Sequence, residues 1–226
     1  MLTDVIKLTA AALYGTKIQE FDSIMRDSDL FDTVRFLSAL SVKMKCMEDG
    51  TVYIEPMLVL PKPGSLISFD GISKKNALFF LGLATNLGLI FKFTNLKNGN
   101  ITYEEAKKMS ECVGGILQFG PAENGFIAAS ANYTETNGCM AKKPFEFTAG
   151  LLLTMPLCGK KAKFRMGENE GNELIETAYE RLVRYSLVTK REKDTVYVKC
   201  VRHERLIRRR RKAGRPRKIP KETEKA

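Results

Sequence analysis

The sequence predicts a protein of the α+β class, with helices and strands mixed along a chain of 226 residues. Segments whose apolar residues recur at helical spacing, as Leu30, Val34 and Leu37 do, alternate with segments that have the β-branched pattern of strands, as in "TVYIE". Hydrophobic residues make up 44% of the chain and include 13 Phe, which is enough for a hydrophobic core.

The elements can be predicted in order from these patterns and from turn signals such as Asp49–Gly50 and Asn124–Gly125. They are helical structure over the first forty-odd residues, a strand over 48–61, a helix over 76–93, a helix over 100–117 with Thr102 near its N-cap, short strands over 115–133, a helix over 144–159 and a strand over 160–167. No internal repeat is apparent.

A helix and a hairpin are predicted after Asn172. The apolar stripe of this helix consists of Leu174, Ile175, Ala178, Tyr179, Leu182 and Val183, and "SLVTKREKDTVYVKCV" then has the pattern of two strands. The pair belongs either to the main domain or to a winged-helix-like module. The predicted domains are therefore an α/β ligand-binding or dimerisation domain over 1–170, the helix and hairpin over 171–201, and a basic tail over 202–226.

The positive charge of the chain is concentrated at its C-terminus. The net charge is +11, and residues 201–226 contribute 12 Lys and Arg against 3 Asp and Glu. Basic clusters of this density usually bind polyanions, foremost nucleic acid. We expect this tail to be disordered until it binds a partner.

Residues typical of catalytic or metal sites are scarce. The one histidine, His203, lies in the basic tail, and the 5 cysteines are far apart, so neither a catalytic triad nor a zinc site is supported. No phosphate-binding glycine motif is found. We therefore predict no enzyme, no cofactor and no metal. The apolar window 76–93 is at the short limit for a membrane span and is expected to be a core helix, so no membrane insertion is predicted. The odd number of cysteines argues for a reducing compartment, so a cytoplasmic location is predicted.

A second expectation about the fold comes from four segments taken in order: "ALFFLGLATNLGLIF", "ITYEEAKKMSECVGGILQFG", "GFIAASANYTE" and "PFEFTAGLLLTMPLCGKKAKF". Their order resembles the 4-vinyl-reductase domain family, which is related to small subunits of TRAPP tethering complexes. The resemblance implies a mixed α/β fold, a homodimer and an apolar cavity for a small hydrophobic ligand. Many members have a cysteine-bearing segment after the closing strand, but "FRMGENEGNE" has none, so no metal is expected here.

If the cavity is present, its candidate wall residues are Phe79, Phe80, Leu83, Leu87 and Phe147. The alternative is that these residues are ordinary core, since apolar residues at helical spacing usually are.

The tail segment "AGRPRKIPK" resembles the AT-hook, a minor-groove-binding motif centred on Gly-Arg-Pro, with Ala213 where the commonest core has arginine. Pro216 keeps the backbone extended, and Gly214 removes bulk, so Arg215 and Arg217 are expected to enter a narrow A·T-rich groove. The predicted DNA-binding residues are Arg208, Arg209, Arg210, Arg211, Lys212, Gly214, Arg215, Pro216, Arg217, Lys218 and Lys221.

These observations favour a DNA-binding protein that contacts A·T-rich double-stranded DNA through its tail. It would act as a ligand-sensing transcriptional regulator or as a nucleoid-associated architectural protein, and a eukaryotic origin would make its location nuclear. The alternative is an adaptor or tethering subunit of TRAPP-like type whose tail contacts RNA or another polyanionic surface. An enzyme of small-molecule metabolism with an accessory basic tail is a third hypothesis.

Overall fold

The structure, a computed structural model, describes residues 2–15, 18–20, 28–47, 51–55, 57, 66–87, 89–111, 117–130, 144–157, 162–165, 171–193 and 195–199. Its helices are α1 (Leu2–Tyr14), α2 (Ser28–Ala39), α3 (Lys74–Leu87), α4 (Tyr103–Glu111), α5 (Phe145–Thr154) and α6 (Glu173–Arg184). Its strands are β1 (Ile18–Glu20), β2 (Lys43–Cys46), β3 (Thr51–Glu55), β4 (Leu66–Asp70), β5 (Ile90–Thr94), β6 (Leu117–Ala122), β7 (Gly125–Ser130), β8 (Ala162–Arg165), β9 (Val188–Glu192) and β10 (Thr195–Val198). A 3₁₀ turn, Met155–Leu157, extends α5.

The described strands form three sheets. The first has the order β1-β3-β2, the second β4-β5-β7-β6, and the third β8-β10-β9. Neighbouring strands are antiparallel except β4 and β5, which are parallel. Helices and strands are thus mixed within one α+β architecture, as the sequence predicts.

The three sheets belong to three copies of one unit. Each unit runs helix, strand, helix, strand, strand, and in each the last strand lies between the other two; the second unit has β4 in addition. The strands that follow the first helix of each unit begin at Ile18, Ile90 and Ala162, at intervals of 72 residues. The prediction that the chain has no internal repeat is therefore wrong. We call these the first (2–55), second (66–130) and third (145–198) units.

The first and third units also resemble each other in sequence. "DLFDT" at 29–33 matches "ELIET" at 173–177, and Thr-Val-Tyr occurs at both 51–53 and 195–197, 144 residues apart in each case. In both the first and the third unit, the second helix ends with the same backbone geometry. Ser41 and Ser186 have positive φ angles of 59° and 56°, and the next residue's N–H donates back to Leu37 O at 3.0 Å or Leu182 O at 2.9 Å. This left-handed ending satisfies carbonyl groups that the helix leaves unpaired.

The first helix of each unit lies in the interior. Every residue of α5 from Phe147 to Thr154 is buried, and α3 is buried along its described length from Asn76 onwards. Two glycines allow these helices to pack closely. A Cβ on Gly82 would overlap the carbonyl oxygen of Phe147, and a Cβ on Gly150 would overlap that of Phe79. The two contacts are reciprocal, so a side chain at either glycine would push the helices apart.

Aromatic rings fill the space between α3 and the second sheet. The ring of Phe80 stacks on Phe69 with centroids 4.7 Å apart and lies 4.9 Å from Phe36 of the first unit. Phe93 extends the cluster to Phe126, again with centroids 4.9 Å apart. Burial of such large apolar surfaces is the main stabilising contribution in a core of this kind.

Most predicted elements are present, with corrected limits. The helix expected over 76–93 ends at Leu87, and Phe91 and Phe93 belong to β5 instead, because the alternation of buried residues there is that of a strand. Thr102 caps α4 as predicted: its Oγ1 accepts from the Glu105 N–H at 3.2 Å, and its own N–H donates to the Glu105 carboxylate at 2.8 Å. The predicted Asp49–Gly50 turn lies outside the described residues.

The domain limit predicted at residue 170 falls within the third unit. β10 pairs with β8, so the helix and hairpin over 171–201 share a sheet with the preceding part of the chain. That arrangement corresponds to the first of the two alternatives, in which the pair is part of the main domain.

Candidate nucleic-acid interface

The outer face of the third sheet is basic and has a tyrosine at its centre. Tyr197 on the central strand pairs with Lys163 on one side and Lys190 on the other. Thr195 pairs with Arg165 and Glu192 in the same way. Directly opposed residues of antiparallel strands share a face, so these side chains form two neighbouring rows. Lys163, Arg165, Lys190 and Glu192 are exposed, and Tyr197 is half-buried.

The inner face of the same sheet holds it on the protein. Val196 and its partner Phe164 are buried. Arg191 lies on this side, where its guanidinium is 4.7 Å from the centre of the Tyr179 ring and 3.4 Å from the carboxylate of Glu176. Because Tyr179 and Glu176 belong to α6, these contacts fix the sheet against that helix.

Hydrogen bonds orient the polar groups on the outer face. The hydroxyl of Tyr197 donates to Glu192 at 2.9 Å, and the Lys190 ammonium also contacts that carboxylate. The bond to Glu192 raises the pKa of Tyr197, since the neutral phenol is the donor. The bond from Lys190, followed by that from Tyr197, lowers the pKa of Glu192, and the same pairing raises the pKa of Lys190. The tyrosine ring is therefore tethered at its hydroxyl end beside a charged pair.

The first sheet has the same tyrosine in a different electrostatic setting. Tyr53 is 41% exposed and pairs with Lys45, as Tyr197 pairs with Lys190. Lys43 is neutralised by an ion pair with Glu55 at 3.3 Å. On β1, the residues that pair with Tyr53 and Thr51 are Ile18 and Glu20. In the third sheet, the residues that pair with Tyr197 and Thr195 are Lys163 and Arg165.

The formal charges of the two faces differ accordingly. Among the first-sheet side chains that the structure describes, Lys43 and Lys45 are opposed by Glu55, which gives a net +1. On the third sheet, Lys163, Arg165, Lys190 and Lys199, which directly follows β10, are opposed by Glu192, which gives a net +3. The more positive face attracts polyanions more strongly.

The predicted DNA-binding residues, Arg208 to Lys221, lie outside the described residues. The structure does establish where the chain enters that segment. The last described strand, β10, is the central strand of the third sheet, and Lys199 follows it. The last residue described before that segment, Lys199, therefore lies next to the basic face.

The five predicted ligand-binding residues are brought together in the interior. Phe79, Phe80, Leu83 and Leu87 lie on α3 and Phe147 on α5, and none is more than 3% exposed. Phe79 and Phe147 provide the carbonyl oxygens that meet the two interhelical glycines, so backbone packs directly on backbone at this place. Such packing corresponds to the alternative of ordinary core, and the ligand-binding interpretation stays a prediction.

A polar cleft lies on the second unit, beside the loop that follows β5. It has a volume of about 670 Å³, and its walls include Asn95, Asn100 and Asn124. Two of these amides are held in place by hydrogen bonds: Asn95 donates to Asp70 at 2.7 Å, and Asn100 donates to the Ile72 carbonyl at 2.8 Å. Amide side chains fixed in this way suit hydrogen bonding to a small polar molecule.

Comparison with solved structures shows which fold this is. Two structures of EPSP synthase from Acinetobacter baumannii match with a TM-score of 0.61, at 11% and 13% sequence identity. The likeness is one of fold. It covers 88% of this chain in both, but only 45% and 44% of the synthase chains, so the chain spans less than half their length. No family model matches, and no curated protein matches.

This comparison corrects the prediction that the chain is not an enzyme. That prediction rested on the lack of recognisable catalytic motifs, yet the fold over most of the chain is that of an enzyme. Motifs report only those catalytic sites that are built from residues close in sequence, and a site assembled from several loops leaves no such signature. The resemblance to the 4-vinyl-reductase and TRAPP-like proteins is not tested by the comparison and stays a prediction.

The outer face of the third sheet is not apparent from the sequence alone. Its residues were assigned to strands, but Lys163 and Arg165 were not connected with Lys190 and Tyr197, because the pairing of β8 with β10 joins segments 30 residues apart along the chain. The signal that could have found this face is the repeated Thr-Val-Tyr, which marks the central strand of both the first and third sheets. Within the described residues, no helix has the length and apolar character required to span a membrane.

Proposed function

We propose that this protein binds double-stranded DNA through its basic C-terminal segment, with a preference for A·T-rich minor grooves. The observation that carries the proposal is the +3 outer face of the third sheet, because it lies where the chain enters a segment that itself holds most of the net charge of +11. The equivalent face of the first unit has a net +1 over its described side chains, so the stronger positive charge belongs to the unit that ends at the last described residue, Lys199.

The tail supplies the groove-binding chemistry in this proposal. Arg215 and Arg217 enter the minor groove on either side of Pro216, and the neighbouring lysines and arginines neutralise phosphates. With six to eight phosphates engaged, affinity falls by on the order of a thousandfold between 50 and 200 mM salt. In a homodimer the two tails would bind one DNA molecule with increased avidity. Roles as a regulator or as a nucleoid-associated protein follow from such binding and are part of the proposal.

Fluorescence anisotropy with A·T-rich and G·C-rich duplexes tests the proposal. The comparison uses the full chain and a chain ending at Cys200, which keeps every described element because β10 ends at Val198. We expect the full chain to prefer the A·T-rich duplex and the shortened chain to lose binding. Equal binding of both duplexes by the full chain would contradict the groove assignment and favour a general polyanion contact, as in the adaptor alternative.

A matched pair of variants separates groove contacts from charge. Arg215→Ala with Arg217→Ala removes two arginines from the Gly-Arg-Pro-Arg core, whereas Arg209→Ala with Arg210→Ala removes two from the flanking run. Both lower the charge equally and should weaken binding to all sequences. Only the first pair should abolish the A·T preference, because groove contacts carry the sequence information.

The finer fold assignment, to the 4-vinyl-reductase and TRAPP-like proteins, rests on the order of elements between 76 and 166 and is likewise kept as a proposal.

A second candidate function, an enzyme acting on a small polar substrate, is favoured by the polar cleft beside Asn95 and Asn100 together with the fold shared with EPSP synthase. An assay for formation of EPSP by the purified chain tests it directly. Turnover that is lost in Asn100→Ala would support the candidate, and absence of turnover would count against this reaction in a chain whose match spans less than half of the synthase.

A further inference from the structure

We propose that the outer face of the third sheet binds a single DNA strand by stacking a base on Tyr197. The inference rests on the proposed function in taking DNA as the partner, but it concerns a separate surface with a different specificity. The tail is suited to the groove of a duplex, whereas a flat sheet face with an aromatic centre is suited to an unpaired base.

Positively charged side chains surround the ring of Tyr197. Lys163 and Lys190 are the direct cross-strand neighbours of Tyr197, one on each side, and both are exposed. Arg165 lies in the next row beside Thr195. A strand whose base rests on the ring would therefore have Lys163 and Arg165 beside it for its phosphates, while Lys190 on the other side pairs with Glu192. Lysine and arginine flanking an aromatic ring in this manner are typical of surfaces that bind single strands.

Hydrogen bonds hold the ring and backbone of Tyr197 in place. Its hydroxyl is held by Glu192 at 2.9 Å, and the Thr189 hydroxyl donates to the Tyr197 carbonyl at 3.2 Å, so both the ring and its backbone are anchored. A ring that is already oriented loses less conformational entropy on stacking than a free one. The stacking surface is thus prepared before the strand arrives.

The first unit has a tyrosine at the same position but with different neighbours. Tyr53 occupies the equivalent position of the equivalent strand and is exposed, but Ile18 and Glu20 replace Lys163 and Arg165 as the neighbouring register positions. A single lysine, Lys45, is the described cationic neighbour of Tyr53, whereas Lys163, Arg165 and Lys190 surround Tyr197, so fewer phosphates can be neutralised beside Tyr53. The third unit is therefore expected to bind the strand more strongly, and Tyr53 provides a matched control.

The experiment is an anisotropy titration of labelled twelve-residue oligothymidine with full-length protein. Tyr197→Ala should weaken binding about tenfold, the contribution of one stacked base, whereas Tyr53→Ala should leave it unchanged. Tyr197→Phe retains the ring but loses the hydroxyl bond to Glu192, so its affinity should lie between those of the natural chain and Tyr197→Ala. Thermal melting of each variant establishes that it is folded. Equal binding by the natural chain, Tyr197→Ala and Tyr53→Ala would overturn the proposal, as would equal losses from the two alanine variants.

The tail variant Arg215→Ala with Arg217→Ala distinguishes this inference from the proposed function. It should lose the A·T preference on duplexes yet keep the difference between Tyr197→Ala and Tyr53→Ala on the single strand. If the natural chain shows no duplex preference while Tyr197→Ala still weakens single-strand binding, the proposed function fails and this inference stands. If the duplex preference is present but Tyr197→Ala has no effect, the reverse holds.

Discussion

The first and third units place a tyrosine at the same position of the same strand but surround it with different charges. Their shared features are internal: the sheet order, the left-handed helix ends at Ser41 and Ser186, and the buried first helix. Their differences are external, with a net +1 over the described side chains around Tyr53 and a net +3 around Tyr197. Exposed charges contribute little to folding free energy, so packing constraints do not explain the divergence. The proposed contact with DNA requires such a difference between the two faces.

The largest effect is expected where the interior common to the units is disturbed. Gly150→Ala places a methyl group on the Phe79 carbonyl, and α3 and α5 must separate to make room. We expect the free energy of unfolding to fall by about 3 kcal/mol, the upper part of the usual range for overpacking, and the melting temperature to fall by roughly 6 to 12 °C. Thermal unfolding followed by circular dichroism measures this change.

Gly120→Ala serves as the control for that prediction. A Cβ on Gly120 would meet nothing within 4 Å, so its effect on stability should be within about 0.5 kcal/mol. Similar melting temperatures for the two variants would show that α3 and α5 are not in close contact.

The next largest effect concerns the charge difference itself. The double substitution Lys163→Glu with Arg165→Glu reverses two charges of the third sheet. It should remove two phosphate contacts, because both side chains are exposed on the outer face. At 0.1 M salt, loss of two contacts lowers single-strand affinity roughly twentyfold and reduces the salt dependence of log K by about 1.4. Titrations of oligothymidine at several salt concentrations measure both quantities.

The matched control is Lys43→Glu with Lys45→Glu in the first sheet. It makes the same change in net charge, so a smaller loss of affinity and an unchanged salt slope are expected. Equal losses from the two pairs would mean that binding depends on the total charge of the protein rather than on one face.

The sequence was sufficient to predict elements and insufficient to predict their assembly. Thr102 as a cap and Asn124–Gly125 as a hairpin turn follow from local chemistry, and both are present. The repeat was missed because its three copies share geometry more than residues: the second unit has Gly-Phe-Ile at the start of β7, where the others have Thr-Val-Tyr in β3 and β10. The basic face was missed because register decides which side chains share a surface, and register is a property of paired strands.

A smaller effect is expected at the hydroxyl of Tyr197. Glu192→Gln replaces the carboxylate acceptor by a neutral amide, so the pKa of Tyr197 should move down towards its ordinary value. A raised pKa in the folded protein stabilises it below the pKa of the unfolded chain, and this contribution disappears as pH rises through the folded pKa. Melting temperatures of the natural and variant chains should therefore converge at alkaline pH. Ultraviolet titration, with Tyr197→Phe to isolate the signal of this ring, measures the pKa; an unchanged value in Glu192→Gln would contradict the bond.

The smallest effect tests the equivalence of the two helix ends. Ser41 and Ser186 have φ angles of 59° and 56°, a region that costs an ordinary residue more than glycine. Glycine relieves that cost but adds entropy to the unfolded chain, so Ser41→Gly and Ser186→Gly should each stabilise the protein by about 0.5 kcal/mol. Ser38→Gly, at an exposed position within α2, should instead destabilise it by about 0.5 kcal/mol, because glycine disfavours helix there. Chemical denaturation resolves such values when the three variants are measured together. If the first and third units share the same backbone geometry, the free energy of unfolding should rise equally in Ser41→Gly and Ser186→Gly and fall in Ser38→Gly. A rise in only one of the two serine variants would show that the backbones of the two units differ at these helix ends.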